Sequence, residues 1–540
     1  MSRNRTGTGR AQRGAALIVL MAVIAVSAAW LFVNAVTDAS RNLDARRRQE
    51  SSEALKTAKY ALLGYVASQA LTDSTPGRLP CPEAPGYYGD PSQEGIAAPS
   101  CTLPAVGRLP WRTLGVDKLT DSYGEPLWYV VSEGFALPYP GATLRINSNT
   151  AAQLTLDGAI RAATALIIAP GPAFAVQAAA GCSARGQSRS SAPPDRRDYL
   201  ECDNATTPAD ASFVSRGPSA SFNDQVLAVT QSELFAAVDP VVARRIESEI
   251  VPQLKNMYAS ANRWWSYPGT VAYPFATPFS NPGTSNFRGQ TYRYQGLLPA
   301  TSSATDPGFV RWDTANSWGW WSWGGSVSSY SCNPYFTSTE LRCQVTYTGS
   351  PVFGFYGRAR NVANALRQWN PSAIIAAGNA GYYYYDGFVD YDGAAWIYAE
   401  VLMPNAATST TRSVRLPIGF LGDHTLLDET NATTGWFVRN RWHQVTYYAV
   451  SPGYSPDGWG WCATPPDTPS CIRVTNAPSV DGNRAALAFA GRSLSGTARP
   501  NDQIGDFLEG TNAAGVGTDY IFETRTQTRT FNDRVSVIDP

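Results

Sequence analysis

The sequence predicts an α+β protein, in which a long amino-terminal transmembrane helix leads into an antiparallel β-sheet module that occurs twice and carries a β-rich insertion. Three observations predict this class. An apolar run of membrane length lies between Arg13 and Asp38. The whole 540-residue chain has few charged residues (16%), many aromatic ones (12%), 46 glycines and 38 prolines, which is typical of strands and turns. Short motifs from the first half also recur, in order, near the carboxyl end.

The amino-terminal helix begins in residues 14–37, which contain no ionisable side chain. About 22 apolar residues are enough to cross a bilayer core of roughly 30 Å. Arginines and no acidic residues precede this run, so the amino terminus is expected in the cytoplasm and the chain after Asp38 outside. The alternatives are a plain membrane anchor and a cleaved secretory signal, for which Ser27-Ala28-Ala29 is a weak cleavage site.

The same helix is expected to continue to residue 71. Apolar residues recur there every three or four positions and form a stripe, which is expected to pack on the globular part of the protein. Residues 15–71 would then form one rod of about 80 Å, at about 1.5 Å per residue. The stripe consists of Leu55, Ala58, Leu62, Val66 and Ala70.

The junction at the start of the apolar run is QRGAAL, residues 12–17, a short basic leader that ends in glycine. It resembles the prepilin leader of type IV pilins and type II secretion pseudopilins. The resemblance implies cleavage by a prepilin peptidase between Gly14 and Ala15, and an assembly helix that includes Val19, Leu20 and Val23. Two positions depart from the family pattern, because Ala15 replaces the usual Phe and Val19 the usual Glu. The missing Glu resembles minor pseudopilins at the fibre tip, which have no subunit above them.

Beyond the helix, the motifs LPCP, GRLPW and TLG also resemble large pseudopilin-like proteins. Strands are predicted at residues 127–131, 165–169 and 222–229. Matching segments recur later in the same order, which predicts a duplicated pilin-like module. Chance convergence of strands and turns is the alternative. The matches are 108–110 with 415–417, 128–132 with 447–451, 157–171 with 481–491, 199–205 with 507–513, and 222–226 with 531–535.

These elements predict the domain organisation. A leader (residues 1–14) precedes the helix (15–71, of which 15–37 is the membrane part) and pilin-like module 1 (72–230). A lead helix for the second module is predicted within residues 231–262, because apolar residues recur four apart from Leu234 to Leu254. An aromatic β-rich insertion (263–410) separates this helix from pilin-like module 2 (411–540).

The eight cysteines form four close pairs along the chain. An even number of locally paired cysteines beyond an export segment predicts disulfides in an oxidising compartment. We favour sequential pairing, although sequence alone does not fix the connectivity. A zinc site is the alternative, but neither histidine lies near a pair at ligand spacing. The pairs are Cys81 with Cys101, Cys182 with Cys202, Cys332 with Cys343, and Cys462 with Cys471.

Charge and motif content argue against several classes of function. The chain has 43 basic and 43 acidic residues, so nothing indicates a nucleic-acid partner. Two histidines leave little room for a Ser-His-Asp or Cys-His arrangement, and GxSxG, HExxH and Walker motifs are absent from the sequence. Acidic residues are scattered, so a glycosidase pair stays open. We expect a protein that is not an enzyme and has no cofactor.

Two segments of the insertion are candidate binding sites. Asp386, Asp390 and Asp392 lie among flexible glycines, and such oxygen ligands suit Ca²⁺, although solvated turn acids are the commoner explanation. A tryptophan cluster suits sugar rings or a protein interface, although a core role is commoner. This cluster comprises Trp318, Trp320, Trp321 and Trp323.

The sequence therefore favours a minor pilin or pseudopilin at the tip of a type IV pilus or type II secretion pseudopilus. By resemblance, its partners are other pilin or pseudopilin subunits, the prepilin peptidase and inner-membrane lipid. It would span the inner membrane once, with a periplasmic carboxyl-terminal region, before it enters the fibre. The alternative is a membrane-anchored extracytoplasmic protein whose aromatic insertion binds a glycan or surface partner. A membrane-tethered hydrolase is a weaker third hypothesis.

Overall fold

The structure is a computed structural model, and it divides into two compact units. Unit 1 comprises residues 1–65, 79–140 and 152–230, and unit 2 comprises residues 66–78, 141–151 and 231–540. The structure describes residues 11–101, 105–136, 144–175, 186–189, 194–206, 211–219, 221–258, 273, 276–279, 293–298, 311–312, 318–333, 340–360, 381–389, 394–417, 429–454, 462, 471–478, 481–497, 499, 501, 503–514, 520–528 and 530–539.

One helix, α1 (Ala11–Gln69), forms the amino-terminal part of the described chain. Its 59 residues extend about 90 Å at about 1.5 Å per residue. The helix contains no proline. The chain turns away after Gln69, where the Asp73 amide donates to the Gln69 carbonyl (2.8 Å) and the Asp73 carboxylate accepts from the Thr75 amide (3.0 Å). The long amino-terminal helix predicted from the sequence is confirmed.

Burial differs between the two halves of α1. Side chains described between residues 17 and 50 are exposed, apart from half-buried Asn34. From Ser51 onward, buried side chains recur every three or four residues, as expected for one face of a helix. The buried positions include the whole predicted stripe: Leu55, Ala58, Leu62, Val66 and, just beyond the helix, Ala70.

Unit 1 contains a six-stranded sheet built around one central strand. Its strands are β1 (Val106–Arg108), β2 (Trp128–Val131), β3 (Leu154–Leu156), β4 (Ala159–Ala169), β5 (Ser212–Phe213) and β6 (Gln225–Thr230), and a short helix α2 (Cys202–Thr206) precedes β5. Strands β2, β3 and β6 pair with β4 antiparallel, β1 pairs with β2, and β5 runs parallel to β3. Because side chains of β2 and of residues 165–169 in β4 are buried on both faces, these runs are continuously apolar instead of alternating.

The core of unit 1 lies on one side of this sheet. Tyr199 packs against Trp128 with ring centroids 5.3 Å apart, beside the aliphatic side chains of β4. The principal members of this core are Trp128, Val130, Leu166, Ile168, Leu200 and Phe213.

Unit 2 begins with the second predicted helix, which is present. It consists of α3 (Gln231–Arg245), a π-helical turn (Ile246–Ile250) and α4 (Val251–Tyr258). Pro240 lies inside α3 without ending it. The residues that recur four apart in the sequence are all buried, which explains the spacing: Leu234, Val238, Val242, Ile246, Ile250 and Leu254.

The remaining strands of unit 2 form three sheets. The elements are β7 (Gln295–Leu297), β8 (Arg311–Trp312), β9 (Trp318–Asn333), β10 (Glu340–Arg360), β11 (Gly381–Val389), β12 (Ala394–Leu402), β13 (Ala406–Pro417), α5 (Gly435–Arg439), β14 (Thr446–Val450), β15 (Arg473–Thr475), β16 (Ala485–Phe489), α6 (Gly510–Ala514), β17 (Ile521–Glu523) and β18 (Arg534–Asp539). One antiparallel sheet has the order β7-β14-β16-β18, and β15 pairs with β17 in parallel. The insertion forms a separate six-stranded sheet in which β10 pairs with β8, β9, β12 and β13.

The strand orders of the two units correspond. The order β1-β2-β4-β6 in unit 1 matches β7-β14-β16-β18 in unit 2, and each unit adds one parallel pair, β3 with β5 and β15 with β17. The registers correspond as well: Val131 pairs with Ala165 as Val450 pairs with Ala485, and Ile168 pairs with Val226 as Ala488 pairs with Val535. Segments matched by sequence thus occupy equivalent strand positions.

One sequence match does not follow this correspondence. Residues 415–417, matched to residues 108–110, lie at the end of β13 and pair with residues 340–342 of β10. The strand in the position of β1 is β7: Leu297 pairs with Tyr447 as Arg108 pairs with Trp128. A tripeptide carries too little information to identify a strand. Residues 295–297, assigned from sequence to the insertion, therefore belong to the β14 sheet, and residues 411–417 belong to the insertion sheet.

Candidate functional site

The first half of α1 presents an apolar surface to its surroundings. Its large side chains are exposed, with Ile18 at 69% and Phe32 at 70%. Within the described chain, this is one helix long and apolar enough to cross a membrane by length and composition. A surface of this kind does not stay in water, because removing each Leu or Ile side chain from water contributes about 1.5–3 kcal/mol.

A charged band follows the apolar surface on the same helix. Acidic and basic side chains alternate through residues 38–50 and are all exposed where described. Asp38 and Arg41 pair at 3.9 Å, and the Arg47 guanidinium lies 5.1 Å from the centroid of the Tyr123 ring. The change from apolar to charged residues marks the expected boundary of the membrane-length segment.

The second half of α1 is attached to the sheet of unit 1 by polar contacts as well as by its buried stripe. Ser51 Oγ accepts from the Ser122 amide at 3.1 Å. The Lys59 ammonium donates to the Ala228 carbonyl of β6 at 2.9 Å. Because β6 pairs with β4 on one side, this lysine occupies part of its other edge, which would otherwise offer bare backbone groups.

The predicted assembly residues all lie in α1. Val19, Leu20 and Val23 are exposed, with Val19 at 62%. Gly14 and Ala15 lie in the first turns of the helix, and their surroundings are outside the described side chains. Val19, Leu20 and Val23 thus lie on one exposed helical segment, which is the geometry that contact with lipid or with other helices requires.

Two predicted disulfides are present among the described residues. Cys81 bonds to Cys101, and Cys462 bonds to Cys471. Cys343 is disulfide-bonded and lies directly opposite Cys332 in the pairing of β9 with β10. Cys202 is the first residue of α2, and Cys182 lies outside the described residues.

Removal of the Cys81–Cys101 disulfide is expected to lower the free energy of unfolding of unit 1 by about 3 kcal/mol, because it releases a loop of about 20 residues in the unfolded chain. The double substitution Cys81→Ser with Cys101→Ser makes this change, and urea unfolding at equilibrium measures it. Ser100→Ala, an exposed change in the same loop, is the control. A double variant with the urea midpoint of the control contradicts the prediction.

The candidate binding residues of the insertion lie on strands or outside the described part. Trp318, Trp320, Trp321 and Trp323 are on β9, and the structure does not describe their side chains. Asp386 is on β11, whereas Asp390 and Asp392 lie outside the described residues. Within the described chain, no three His, Cys, Asp or Glu residues come close enough together to hold a metal ion.

A feature that the sequence did not reveal as a site is a pair of interacting carboxyl groups in unit 1. Asp224 Oδ2 accepts from the Glu201 amide (3.1 Å) and from Asn204 Nδ2 (2.9 Å). Glu201 Oε2 accepts from the amides of Asn223 and Asp224, both at 2.9 Å, and Glu201 Oε1 accepts from Gln187 (2.8 Å). Glu201 and Asp224 are buried. The pair joins the turn that leads into α2 to the start of β6.

Unit 2 contains the same arrangement at the equivalent place. Asp533 Oδ2 accepts from the Glu509 amide (2.8 Å) and from Asn512 Nδ2 (3.1 Å). Glu509 Oε2 accepts from the Asn532 amide (2.9 Å). The pair joins the turn that leads into α6 to the start of β18. Asp533 is buried, whereas Glu509 is half-buried.

A glycine with a left-handed backbone closes each arrangement. Gly171 (φ 67°) follows β4 and Gly491 (φ 56°) follows β16. A Cβ on Gly171 would lie 2.7 Å from Asn223 Oδ1, and one on Gly491 would lie 3.1 Å from Asn532 Nδ2. Both asparagines donate across this gap, to the Pro172 carbonyl (2.8 Å) and to the Arg492 carbonyl (2.7 Å). Glycine is therefore required by conformation and by space.

Burial and mutual repulsion raise the pKa of the carboxyl groups. Desolvation raises the pKa of Asp224 and of Asp533 well above the usual value, and the charge of the neighbouring glutamate raises each further. Desolvation also raises the pKa of Glu201 and of Glu509, against the lowering effect of their backbone donors. The motifs LExxN and FND, which recur in both halves of the chain, were the available sequence signal. They predicted a repeated module and a strand after residue 222, but not a carboxyl pair.

Comparisons with protein-family models, with curated proteins and with solved structures gave no match. The functional argument therefore depends on the geometry of α1 and of the two units.

Proposed function

We propose that this chain is a pilin-like structural subunit that assembles through α1, at the tip of a type IV pilus or a type II secretion pseudopilus. The observation that carries the proposal is the two-part character of α1. Its first half exposes an apolar surface, whereas its second half buries a stripe and contacts β6 through Lys59. Such a helix can leave a bilayer and pack against neighbouring helices while its globular part stays attached.

The leader junction supports the same function. Gly14 and Ala15 lie near the start of α1, so cleavage between them removes the basic leader and keeps the apolar segment. The basic flank favours a cytoplasmic amino terminus, with the two units on the periplasmic side of the inner membrane. Disulfides are expected in that oxidising compartment. Val19 in place of an acidic residue favours the tip position, above which no further subunit packs.

We also infer that the two units contain copies of one pilin-like module. The corresponding strand orders and registers support this inference, as do the equivalent carboxyl pairs. The lead helix of unit 2 contacts its last strand as α1 does in unit 1. Glu247 of the π-helical turn pairs with Arg534 of β18 at 2.8 Å, and Lys255 of α4 pairs with Asp539 at 2.9 Å.

Co-expression with a prepilin peptidase tests the proposal directly. We expect intact-protein mass spectrometry to show loss of the mass of residues 1–14, because the peptidase cuts after Gly14. Gly14→Val is expected to block the loss, and the matched leader variant Gly9→Val is expected to leave it unchanged. Equal masses with and without the peptidase would contradict processing and would favour a plain membrane anchor.

Assembly needs a separate measurement. We expect the processed chain to be recovered in fibres sheared from cells that express the other pilin or pseudopilin subunits, at a low ratio to the major subunit. A processed chain that never co-purifies with sheared fibres or with those subunits would contradict the tip function. That result would leave the membrane-anchored binding protein as the alternative.

A further inference from the structure

We propose that each unit contains a proton-binding lock, in which one proton shared between a buried aspartate and the adjacent glutamate fastens a turn to the start of the last strand of the unit. The lock of unit 1 is Glu201 with Asp224, and the lock of unit 2 is Glu509 with Asp533. This inference concerns the stability of the folded units and does not depend on the proposed assembly function.

In each unit, one carboxyl oxygen of the aspartate has no hydrogen-bond donor. In each unit, Oδ2 of the aspartate accepts two hydrogen bonds, from a backbone amide and from an asparagine side chain. The other oxygen, Oδ1 of Asp224 and of Asp533, is buried without any such donor. A buried acceptor without a partner costs about 1–3 kcal/mol.

The aspartate Oδ1 can form a hydrogen bond with the neighbouring glutamate if the pair carries one proton. The two carboxyl groups of each pair lie together: Glu201 and Asp224 each accept the backbone amide of the other residue, and Asp533 accepts the amide of Glu509. Two carboxylates have no hydrogen to donate to each other, whereas one proton on the pair supplies a donor and removes the repulsion between two charges. The glutamate already accepts backbone amides that favour its charged form. We place the proton on Oδ1 of the aspartate, because that oxygen is the one without a donor, and the adjacent glutamate is its acceptor.

The charged groups around the carboxyl pair differ between the two units. In unit 1 Arg189 donates to Gln187, which itself donates to Glu201, and Arg189 also pairs with Glu125 at 3.0 Å and lies over the Tyr199 ring. The Asp203–Arg216 pair at 3.8 Å is exposed. In this environment no described cation neutralises the pair directly, which favours retention of the proton.

In unit 2 the lock has a cation beside it. The Arg499 charge lowers the pKa of Glu509, and Arg499 itself faces Asp239, Asp506 and Asp533 as well. Arg525 pairs with Glu523 at 3.5 Å and lies 3.7 Å from the Phe531 ring centroid. Because a cation stabilises the doubly charged pair, the unit 2 lock is expected to release its proton at a lower pH than the unit 1 lock.

Each lock connects three segments of its unit. Asn204, which donates to Asp224, also accepts from the Val214 amide next to β5 (2.9 Å). Asn512, which donates to Asp533, accepts from the Glu523 amide of β17 (2.7 Å). Loss of the proton places two negative charges in one buried site and pushes the turn away from the strand. The last strand is then expected to open together with the segment held by the asparagine, which is β5 in unit 1 and β17 in unit 2.

The sign of the pH dependence follows from the raised pKa of the folded state. A group whose folded pKa is raised contributes stability that is fully present below its unfolded pKa and is lost as pH rises through the folded pKa. Each pair is therefore expected to stabilise its unit most at acidic pH. This stabilisation is expected to be lost as pH rises through the folded pKa.

Hydrogen exchange of the full-length protein in detergent tests the lock. We expect protection of β6 and β18, corrected for intrinsic exchange, to fall by up to tenfold per pH unit as pH rises towards the release pH and to level off above it, with β18 levelling off at the lower pH. Asp224→Asn replaces the shared proton by an amide hydrogen of similar geometry and is expected to keep β6 protected through the alkaline range. Asp533→Asn is the matched variant for β18 and leaves β6 unchanged.

Several outcomes would overturn the proposal. One is protection that does not change with pH in the wild-type protein. Another is protection that changes on addition of Ca²⁺ or EDTA, since a metal ion would then occupy the pair. Infrared difference spectra of the wild-type protein give a measurement that needs no variant. We expect a protonated carboxyl band that disappears on alkaline titration, and absence of that band would contradict the lock.

Discussion

Ile24→Arg is expected to raise the free energy of membrane insertion of α1 by about 3 kcal/mol, which lowers the ratio of inserted to uninserted chains about 150-fold. Ile24 is exposed within the apolar half of the helix and lies near the middle of the membrane-length segment. A guanidinium there has no partner of opposite charge on the same segment, because residues 14–37 contain no ionisable side chain.

An insertion assay with membrane vesicles measures this ratio when residues 11–50 are placed in a reporter protein. Leu43→Arg is the matched control, because Leu43 is equally exposed on the same helix but lies in the charged band. We expect the control to insert as the wild-type segment does. Equal insertion of Ile24→Arg and Leu43→Arg would contradict a membrane-spanning position for Ile24.

Leu62→Asp is expected to lower the free energy of unfolding of the globular part by at least about 4 kcal/mol. Leu62 has no exposed surface. Removing its side chain leaves a cavity that costs about 2–5 kcal/mol, and an unpaired carboxylate in the same place adds a desolvation cost. The change acts on the face of α1 that also carries the Lys59 contact to β6.

Urea unfolding at equilibrium, in detergent, measures the effect. Tyr60→Asp introduces the same charge two residues earlier, where the side chain is 71% exposed, and we expect a change within about 0.5 kcal/mol. Limited proteolysis after residue 50 offers a second measurement, because a detached helix is cut faster. Similar midpoints for the two variants would show that the buried stripe does not hold α1 in place.

The helices were the part of the fold that local sequence patterns predicted best. The stripe from Leu55 to Ala70 and the series from Leu234 to Leu254 are buried, as their spacing indicated. The backbone hydrogen bonds of a helix join residues close in sequence, so the residues of its apolar face lie three or four positions apart. The strand at residues 128–131 was predicted for a related reason, since buried strands form short apolar runs.

The sequence predicted less well which strands pair with each other. The Arg-Leu-Pro tripeptide at residues 415–417 suggested a counterpart of β1, but that position belongs to β7, more than a hundred residues earlier. Nothing local distinguishes the two segments. The strand beside β14 is determined by which segment pairs along its whole free edge. That segment, β7, is separated from β14 in the sequence by the long insertion.

The sequence by itself determined the membrane-length helix and its buried continuation, because each is specified by neighbouring residues. Only the tertiary structure decided that Glu201 meets Asp224, and that Glu509 meets Asp533. These carboxyl groups lie more than twenty residues apart, and each is brought to its partner by a turn, a strand start and an asparagine. The local sequence does not show that these acidic residues will be buried together. Folding brings them into contact and removes the water between them.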